Sequence, residues 1–375
     1  MRAVVLRSHG GPEVLTFEDA PVPMPGPDEV QVQIRATALN RADILQRMGG
    51  YPDPRGAGFL EIPGLEYSGV VSAVGERVKM WKNGDRVMAI ESGGAYAEYI
   101  CTHERQLLAV PSNISLADAA AIPEVFLTAW DALVLQGGLT SGRWALVHAG
   151  ASGVGTAAIQ IAKAIGARIA VTCSAGKAQA CRDLGADLVV ERSPHDWLSE
   201  LQTAVPQGFD VVLDVIGGDE VDRNLKAVAN KGTIVQVGLM GGGSTQVNVG
   251  LLLMKRAHWI GTTLRARPLE EKAAVTRKFA AEMLPLFASG QLKPIIDSRY
   301  PFEQIADAHI AMGANTNTGK ILIDDVMAEY AREMELSGKK FSIKDFLDRM
   351  NQIGSVPPAI GALELIKSNN RILIP

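Results

Sequence analysis

The sequence predicts an α/β protein in which a doubly wound parallel sheet is joined to an irregular, barrel-like β-domain. Three observations carry that prediction. Strand-length apolar runs alternate with helical patterns from about residue 128 to residue 263. The first 110 residues instead hold short strands cut by Gly and Pro clusters. A glycine turn joins the first strand of the alternating part to a helix. At 375 residues the chain is long for one core, so two domains are expected.

In chain order, residues 3–6, 30–34 and 67–71 read as short strands, the second strictly alternating. Turn clusters separate them, at Gly10-Gly11-Pro12, at 21–27 and at Asn83-Gly84-Asp85. A helix is expected after 111–114, with Pro123 interrupting its pattern, and 127–135 is helical. Strands follow at 144–149, 168–173, 188–190, 210–215, 233–238 and 259–263, with helices at 177–184, 197–205 and 224–230. This spacing suits right-handed crossovers in a parallel sheet. Residues 270–289 form a long amphipathic helix. The strands 295–302 and 321–323, with a helix at 305–312 between them, are expected to return to the β-domain and leave a cleft between lobes. The layout is thus 1–123 completed by 295–326, then 124–294 as the nucleotide lobe, then an extension over 327–375 with short helices at 327–335 and 343–353.

The glycine turn is Gly150, Gly153 and Gly155, followed by a helix with Ala158, Ile161, Ala162 and Ile165 on one face. Glycines there turn the chain sharply, let backbone approach a pyrophosphate and seat helix against strand, so the turn points to a dinucleotide. An NAD site usually carries an acid about 20 residues on, at the end of the second strand. Here Cys173 is followed by Ser174, Ala175, Gly176 and Lys177, a hydroxyl and an ammonium without a carboxylate. A 2′-phosphate needs donors and positive charge, so NADPH is favoured, with Arg192 as a second cation. Met240, beside Gly241-Gly242-Gly243, reads either as loop packing or as lining of the nicotinamide site.

Other chemistries are excluded in turn. A net charge of −4 implies no general attraction to nucleic acid or anionic membrane. The opening MRAVVLRSHGG has too short an apolar run for a signal peptide, and no uninterrupted apolar segment is long enough to span a bilayer. Three cysteines, Cys101, Cys173 and Cys181, have no metal-ligand spacing and read as reduced thiols of a cytoplasmic protein. Residues 313–320, GANTNTGK, have one residue too many between the glycines and Ile321 where a magnesium hydroxyl belongs, so they are not a P-loop. No G-x-S-x-G elbow and no HExxH is present. His148 reads as a packed strand-end residue.

Several motifs together resemble the medium-chain dehydrogenase/reductase superfamily, in its zinc-independent quinone oxidoreductase branch, and most the tumour-suppressor-inducible quinone oxidoreductases and their bacterial relatives. They are ALNRAD from Ala38, PGLEYSG from Pro63, NGDRV from Asn83, AAIPE from Ala120, HAGASGVG from His148, GLMGGG from Gly238 and NTGKI from Asn317. The resemblance runs to about residue 325 and stops before the extension. It implies a GroES-like β-barrel beside a Rossmann sheet. It also explains an absence, because zinc-dependent members carry a catalytic Cys and a Gly-His-Glu motif where this chain has Asn40 and Gly64-Leu65-Glu66.

Carried over by position, the resemblance implies NADPH in the interdomain cleft. Ser152, Gly153 and Val154 would hold the pyrophosphate, and Ser174 and Lys177 the 2′-phosphate, with Arg192 where many relatives have Tyr. Thr128, Gly238, Leu239, Met240 and Leu264 would border the nicotinamide ribose and ring, with Asn317 closing over the cofactor. Asn40, Asp43 and Tyr51 would face the substrate, although Asn40 and Tyr51 are equally plausible as turn residues. Without a Lewis acid, the acceptor must take hydride readily, which suits a quinone. The alternatives are an NADPH-dependent enone, enal or enoyl-thioester reductase and, from another class, a non-catalytic NADPH-binding structural or RNA-binding protein. A homodimer through 259–264 is implied by the resemblance alone.

Overall fold

The computed structural model describes residues 1–54, 56, 60–192 and 196–324. The expected extension over 327–375, with its two short helices, lies outside the described residues. Strand β1 (Arg2–Val5) pairs antiparallel with β2 (Thr16–Asp19). Strand β3 (Glu29–Ala38) owes its double burial to its alternation. Val30 and Val32 enter the barrel core, while Gln31 is buried on the other face by donating to the Pro23 carbonyl at 2.6 Å and accepting from Ser72 at 2.7 Å. Helix α1 (Arg41–Arg47) follows directly, and β4 (Glu66–Val74), β5 (Arg86–Ile90), β6 (Tyr99–His103) and β7 (Leu108–Ala109) complete the meander.

Helix α2 (Leu116–Ala119) is capped by the Ser115 hydroxyl. Helix α3 (Pro123–Trp130) corrects one expectation, because Pro123 begins a helix and does not interrupt one. At the first helical position its missing N–H removes no hydrogen bond.

The second lobe alternates without exception through β8 (Trp144–Val147), α4 (Gly153–Ala164), β9 (Arg168–Cys173), α5 (Ala178–Asp183), β10 (Leu188–Glu191), α6 (Trp197–Ala204) and β11 (Phe209–Asp214). It continues through α7 (Glu220–Ala227), β12 (Val228–Gln236), α8 (Val249–Lys255) and β13 (His258–Gly261). The expected helix at 224–230 ends earlier because the chain enters β12 at Val228, and α8 was not foreseen. The sheet is parallel throughout, in the order β10-β9-β8-β11-β12-β13. Its order reverses between β8 and β11, which is where ligands of such sheets bind. Helix α9 (Leu269–Ala288) then covers the sheet and leads to β14 (Ile296–Tyr300), α10 (Ile305–Gly313) and β15 (Lys320–Asp324). Strand β15 pairs antiparallel with β3, so the last described strand lies in the first lobe's sheet. Among the described residues, no helix is long and apolar enough to cross a membrane.

The largest core cluster is built around α3 and α9. Phe126 packs edge-on to Phe287 at 4.7 Å and Trp130 to Phe279 at 5.7 Å, with the Trp130 indole donating to Glu282 at 3.1 Å. Trp130→Ala removes the largest side chain of that seam, which is fully buried. It should cost about 3–5 kcal/mol, read as a lower urea midpoint at unchanged slope.

Candidate functional site

The phosphate cradle is set by sterics. Ala149 adopts φ 58° after β8, and α4 starts at Gly153 with the Ser152 hydroxyl accepting from Gly155 N at 3.0 Å. A Cβ on Gly150 would lie 2.6 Å from Val171 Cβ, and on Gly155 2.3 Å from the Ala149 carbonyl oxygen. On Gly153 it would meet Val125 at 2.7 Å and the Lys320 stem at 2.8 Å. Only glycine fits, so the first N–H groups of α4, at Gly153 and Val154, face an open, positively polarised helix end. His148 is buried between Thr172 at 2.9 Å and Asn224 at 2.7 Å. Burial lowers its pKa, so it is a neutral strap across strand ends, as its sequence position suggested. Asn224 donates in turn to Asp214 at 3.0 Å, which holds Ile216 N at 2.6 Å.

Two rims flank the cradle. On one, Ser174 is exposed and Lys177 reaches across to the carbonyls of Asn315 at 2.9 Å and Asn317 at 2.5 Å. The structure thus brings Ser174, Lys177 and Asn317 together. Arg192 turns instead to Glu220 at 3.3 Å, and Glu191 accepts from Gly176 N at 3.2 Å, an acid at this rim that the sequence reading missed. On the other rim, the loop carrying Gly238, Leu239 and Met240 is laced to the end of β11, with Met240 N donating to Val215 at 3.3 Å and Gly241 N to Ile216 at 2.6 Å. Gly238 admits no Cβ, since one would lie 2.8 Å from the Val215 carbonyl oxygen, and the Leu239 and Met240 side chains are exposed. Leu264 packs on the core, and Thr128 is half-buried one turn beyond Glu124. The Asn317 loop crosses the cradle itself, with Gly319 N donating to the Ala151 carbonyl at 2.9 Å.

Beyond the cradle lies a buried polar cluster. Lys320 forms an ion pair with Glu66 at 2.7 Å, and donates to Asn40 Oδ1 at 2.6 Å and to the Leu39 carbonyl at 2.5 Å. Glu66 also accepts from Asn40 Nδ2 at 2.9 Å and from Glu124 N at 2.8 Å. The second Nδ2 proton of Asn40 goes to the Ala38 carbonyl at 3.2 Å, so Asn40 has no spare donor for a substrate. Asp43 accepts from Asn40 N at 2.8 Å and has no exposed surface. Burial pushes its pKa up to about 6, and that of Glu124 up to about 7, against the pull of Lys320. Of the three residues expected to face the substrate, the structure buries Asn40 and Asp43 and leaves Tyr51 partly exposed. The Arg265 guanidinium lies 4.5 Å over the Tyr51 ring and donates to Gln46 and the Ser92 carbonyl, each at 2.8 Å.

The roles of Glu66, Lys320, Glu124 and Arg265 escaped the sequence reading. The available signal was Lys320 itself, a charge directly before the apolar run Ile321-Leu322-Ile323, which demands a counterion when buried.

Family comparison agrees with this architecture. Residues 26–112 match the alcohol dehydrogenase GroES-like domain, and residues 153–281 the zinc-binding dehydrogenase domain. The human synaptic vesicle membrane protein VAT-1 homolog is 31% identical over 341 residues, covering 86% of each chain. Human quinone oxidoreductase is 31% identical over 329 residues, covering 86% of this chain and 97% of its own length. The Escherichia coli quinone oxidoreductase complexed with NADPH superposes with a TM-score of 0.79 at 30% identity, covering 87% of this chain and all of the other. A zinc ion does not fit the donors present here. Leu65 offers no ligand, Asn40 and Glu66 are committed to an ammonium, and no group of three or more His, Cys, Asp or Glu among the described residues is placed to hold a metal.

Lys320→Met strands Glu66 as an unpaired buried carboxylate and should cost about 3–5 kcal/mol in urea unfolding. Adding Glu66→Leu should restore most of that loss; an equally unstable double variant would show that packing, not charge, is what Lys320 supplies.

Proposed function

We propose that this chain, which belongs to the zinc-independent quinone oxidoreductase branch of the medium-chain dehydrogenase/reductase superfamily, is an NADPH-dependent reductase whose acceptor is a quinone. The observation that carries the reading is a phosphate cradle opening onto a cleft whose buried cation, Lys320, is already neutralised by Glu66. Paired in this way, Lys320 is not free to polarise a simple carbonyl or alcohol, which favours an acceptor that takes hydride readily. A quinone does so.

In this reading, residues 1–123 with 295–326 frame the acceptor and 124–294 bind the cofactor. NADPH, when bound, supplies the hydride. Ser152, Gly153 and Val154 offer N–H groups and the helix dipole to its pyrophosphate. Ser174 and Lys177 supply a donor and charge for the 2′-phosphate, and Lys177 at the same time ties down the loop of Asn317, whereas Arg192 would have to leave Glu220 to join them. Gly238, Leu239, Met240, Leu264 and Thr128 form the wall for the nicotinamide, apolar on one side and bearing a hydroxyl on the other. The protein's contribution is orientation and exclusion of water. Tyr51, held flat by Arg265, is the hydroxyl at the acceptor edge.

The edge strand β13 and helix α8 expose Val249, Leu253, Met254 and Trp259 side by side, a surface suited to a second copy of the chain. Light scattering should give a dimer that Trp259→Glu with Leu253→Glu converts to monomer; a wild-type monomer would remove this assignment.

The function is tested by oxidation of NADPH and NADH across a panel of quinones, alkenals and enoyl thioesters. Quinone turnover with NADPH should dominate. Alkenal turnover far above it would favour double-bond reduction, and tight NADPH binding without turnover a non-catalytic role. Lys177→Glu should weaken NADPH binding by about 10–100-fold, the worth of a charged hydrogen bond, and NADH binding far less.

A further inference from the structure

Three carboxyl groups, Asp43, Glu66 and Glu124, meet a single ammonium, Lys320, in the buried cluster. The groups facing Glu124 are Lys320 of β15, Glu66 of β4, Asp43 of α1 and Thr128 of its own helix. Three negative charges against one positive charge at this depth cannot all persist, so one carboxyl must carry a proton. The hydrogen bonds say which. Glu66 has the ion pair at 2.7 Å and donors from Asn40 at 2.9 Å and from the Glu124 backbone at 2.8 Å, so it is ionised. Asp43 has the Asn40 backbone N–H at 2.8 Å. Among the described residues, the Glu124 carboxyl has only the Thr128 hydroxyl, 3.5 Å away. Burial accordingly pushes Glu124 up furthest, to about 7, and Asp43 to about 6. Exposure separates them further, because Asp43 and Glu66 are sealed at 0% while Glu124 is, as a residue, partly exposed.

We propose that Glu124 is the proton store of this site, the carboxyl that holds a proton at neutral pH and delivers it through the Thr128 hydroxyl to the reduced acceptor. The role rests on the hydride-transfer reading above and adds the proton that reading lacks. NADPH gives its hydride to the quinone, which becomes an anionic hydroquinone. Thr128 gives its hydroxyl proton to that oxygen and takes the carboxyl proton of Glu124. Glu124 is left ionised beside Lys320, and water returns its proton. NADPH, quinone and one proton thus become NADP⁺ and hydroquinone. The Thr128 contact is long without ligand, as hydrogen bonds used in turnover often are before the complex forms.

The first test needs no turnover. Infrared difference spectra of the ligand-free protein against pH should show a carboxylic acid band that disappears with a midpoint near pH 7 and is missing from Glu124→Gln, a variant that keeps the side chain's shape and its backbone bond to Glu66. A carboxyl ionised throughout that range overturns the proposal. In turnover, the wild-type rate should be flat on the acid side and fall as pH rises through about 7, because the proton must be present to be given. Glu124→Gln should lose that limb and at least about tenfold in kcat, at unchanged NADPH affinity. An unaltered profile in the variant, or no solvent isotope effect on the wild-type kcat, would equally overturn it. Failure of every acceptor would instead remove the hydride-transfer reading, and the infrared titration would still decide where the proton sits.

Discussion

The ion pair between Glu66 and Lys320 is the constraint on which the rest of the site depends. Both side chains are almost wholly removed from water, at 0% and 4% exposure. Dehydrating two such charges costs several kcal/mol each, so their attraction alone does not stabilise the fold. What makes the pair tenable is saturation. Glu66 is met by Asn40 and by the first turn of α3, and Lys320 by Asn40 and the Leu39 carbonyl. Those bonds fix β4, β15, the entry to α1 and the start of α3 against one another. The Lys320 stem also lies where a side chain on Gly153 would be. One residue therefore forms the floor of the acceptor cleft and a wall of the phosphate cradle, and neither can shift without the other.

This arrangement gives Asn40 a different part from the one its position suggested. Its amide is a connector, accepting from the ammonium and donating to the carboxylate, while its backbone N–H holds Asp43. A neutral side chain with both a donor and an acceptor is what a site between opposite charges requires. Because the amide meets both charges of the pair, Asn40, Glu66 and Lys320 form one hydrogen-bonded unit. The surplus negative charge behind it is what obliges a carboxyl to stay protonated.

The parallel sheet was legible because its signals are local. Apolar periodicity, the glycine turn and the missing acid after Cys173 all lie within short windows, and the strands of this sheet came out close to their expected places except β12, which begins at Val228 and not at Thr233. Pro123 misled because a proline reads alike as a breaker and as a first-turn residue until the preceding chain is placed. Helix α8 was missed because Leu251, Leu252 and Leu253 follow a glycine loop without a helical period long enough to register. The site was less legible than the fold. Motif positions pointed to Ser152, Gly153 and Val154, where α4 begins, but not to the bonds of Lys177 with the Asn315 and Asn317 carbonyls. The partners of Lys320, by contrast, come from β4 and the turn before α1, and no window of sequence contains them. Arg192 shows the same limit: its sign was readable, but not its engagement with Glu220.

Acceptor choice has its own physical location, apart from the cradle. The glycine turn meets only what every substrate of such an enzyme shares, the dinucleotide, and cannot discriminate among acceptors. Under the proposed reading discrimination falls to the segment around Tyr51, and the nucleotide lobe helps to hold that segment. Arg265, only 5% exposed, stacks on the Tyr51 ring and donates to the Tyr51 carbonyl at 3.2 Å, to Gln46 and to the Ser92 carbonyl. Ser92 answers by donating to the Arg265 carbonyl at 2.9 Å, and Lys272 of α9 donates to the Ser92 hydroxyl at 3.0 Å. Arg265 directly follows Leu264, which packs against the core of the nucleotide lobe. Lysine could not replace Arg265, because a point charge lacks the planar face for the ring and the fork that spans three acceptors. The orientation of the acceptor is thus written on the nucleotide side of the cleft, although the hydroxyl that would touch it belongs to the other lobe.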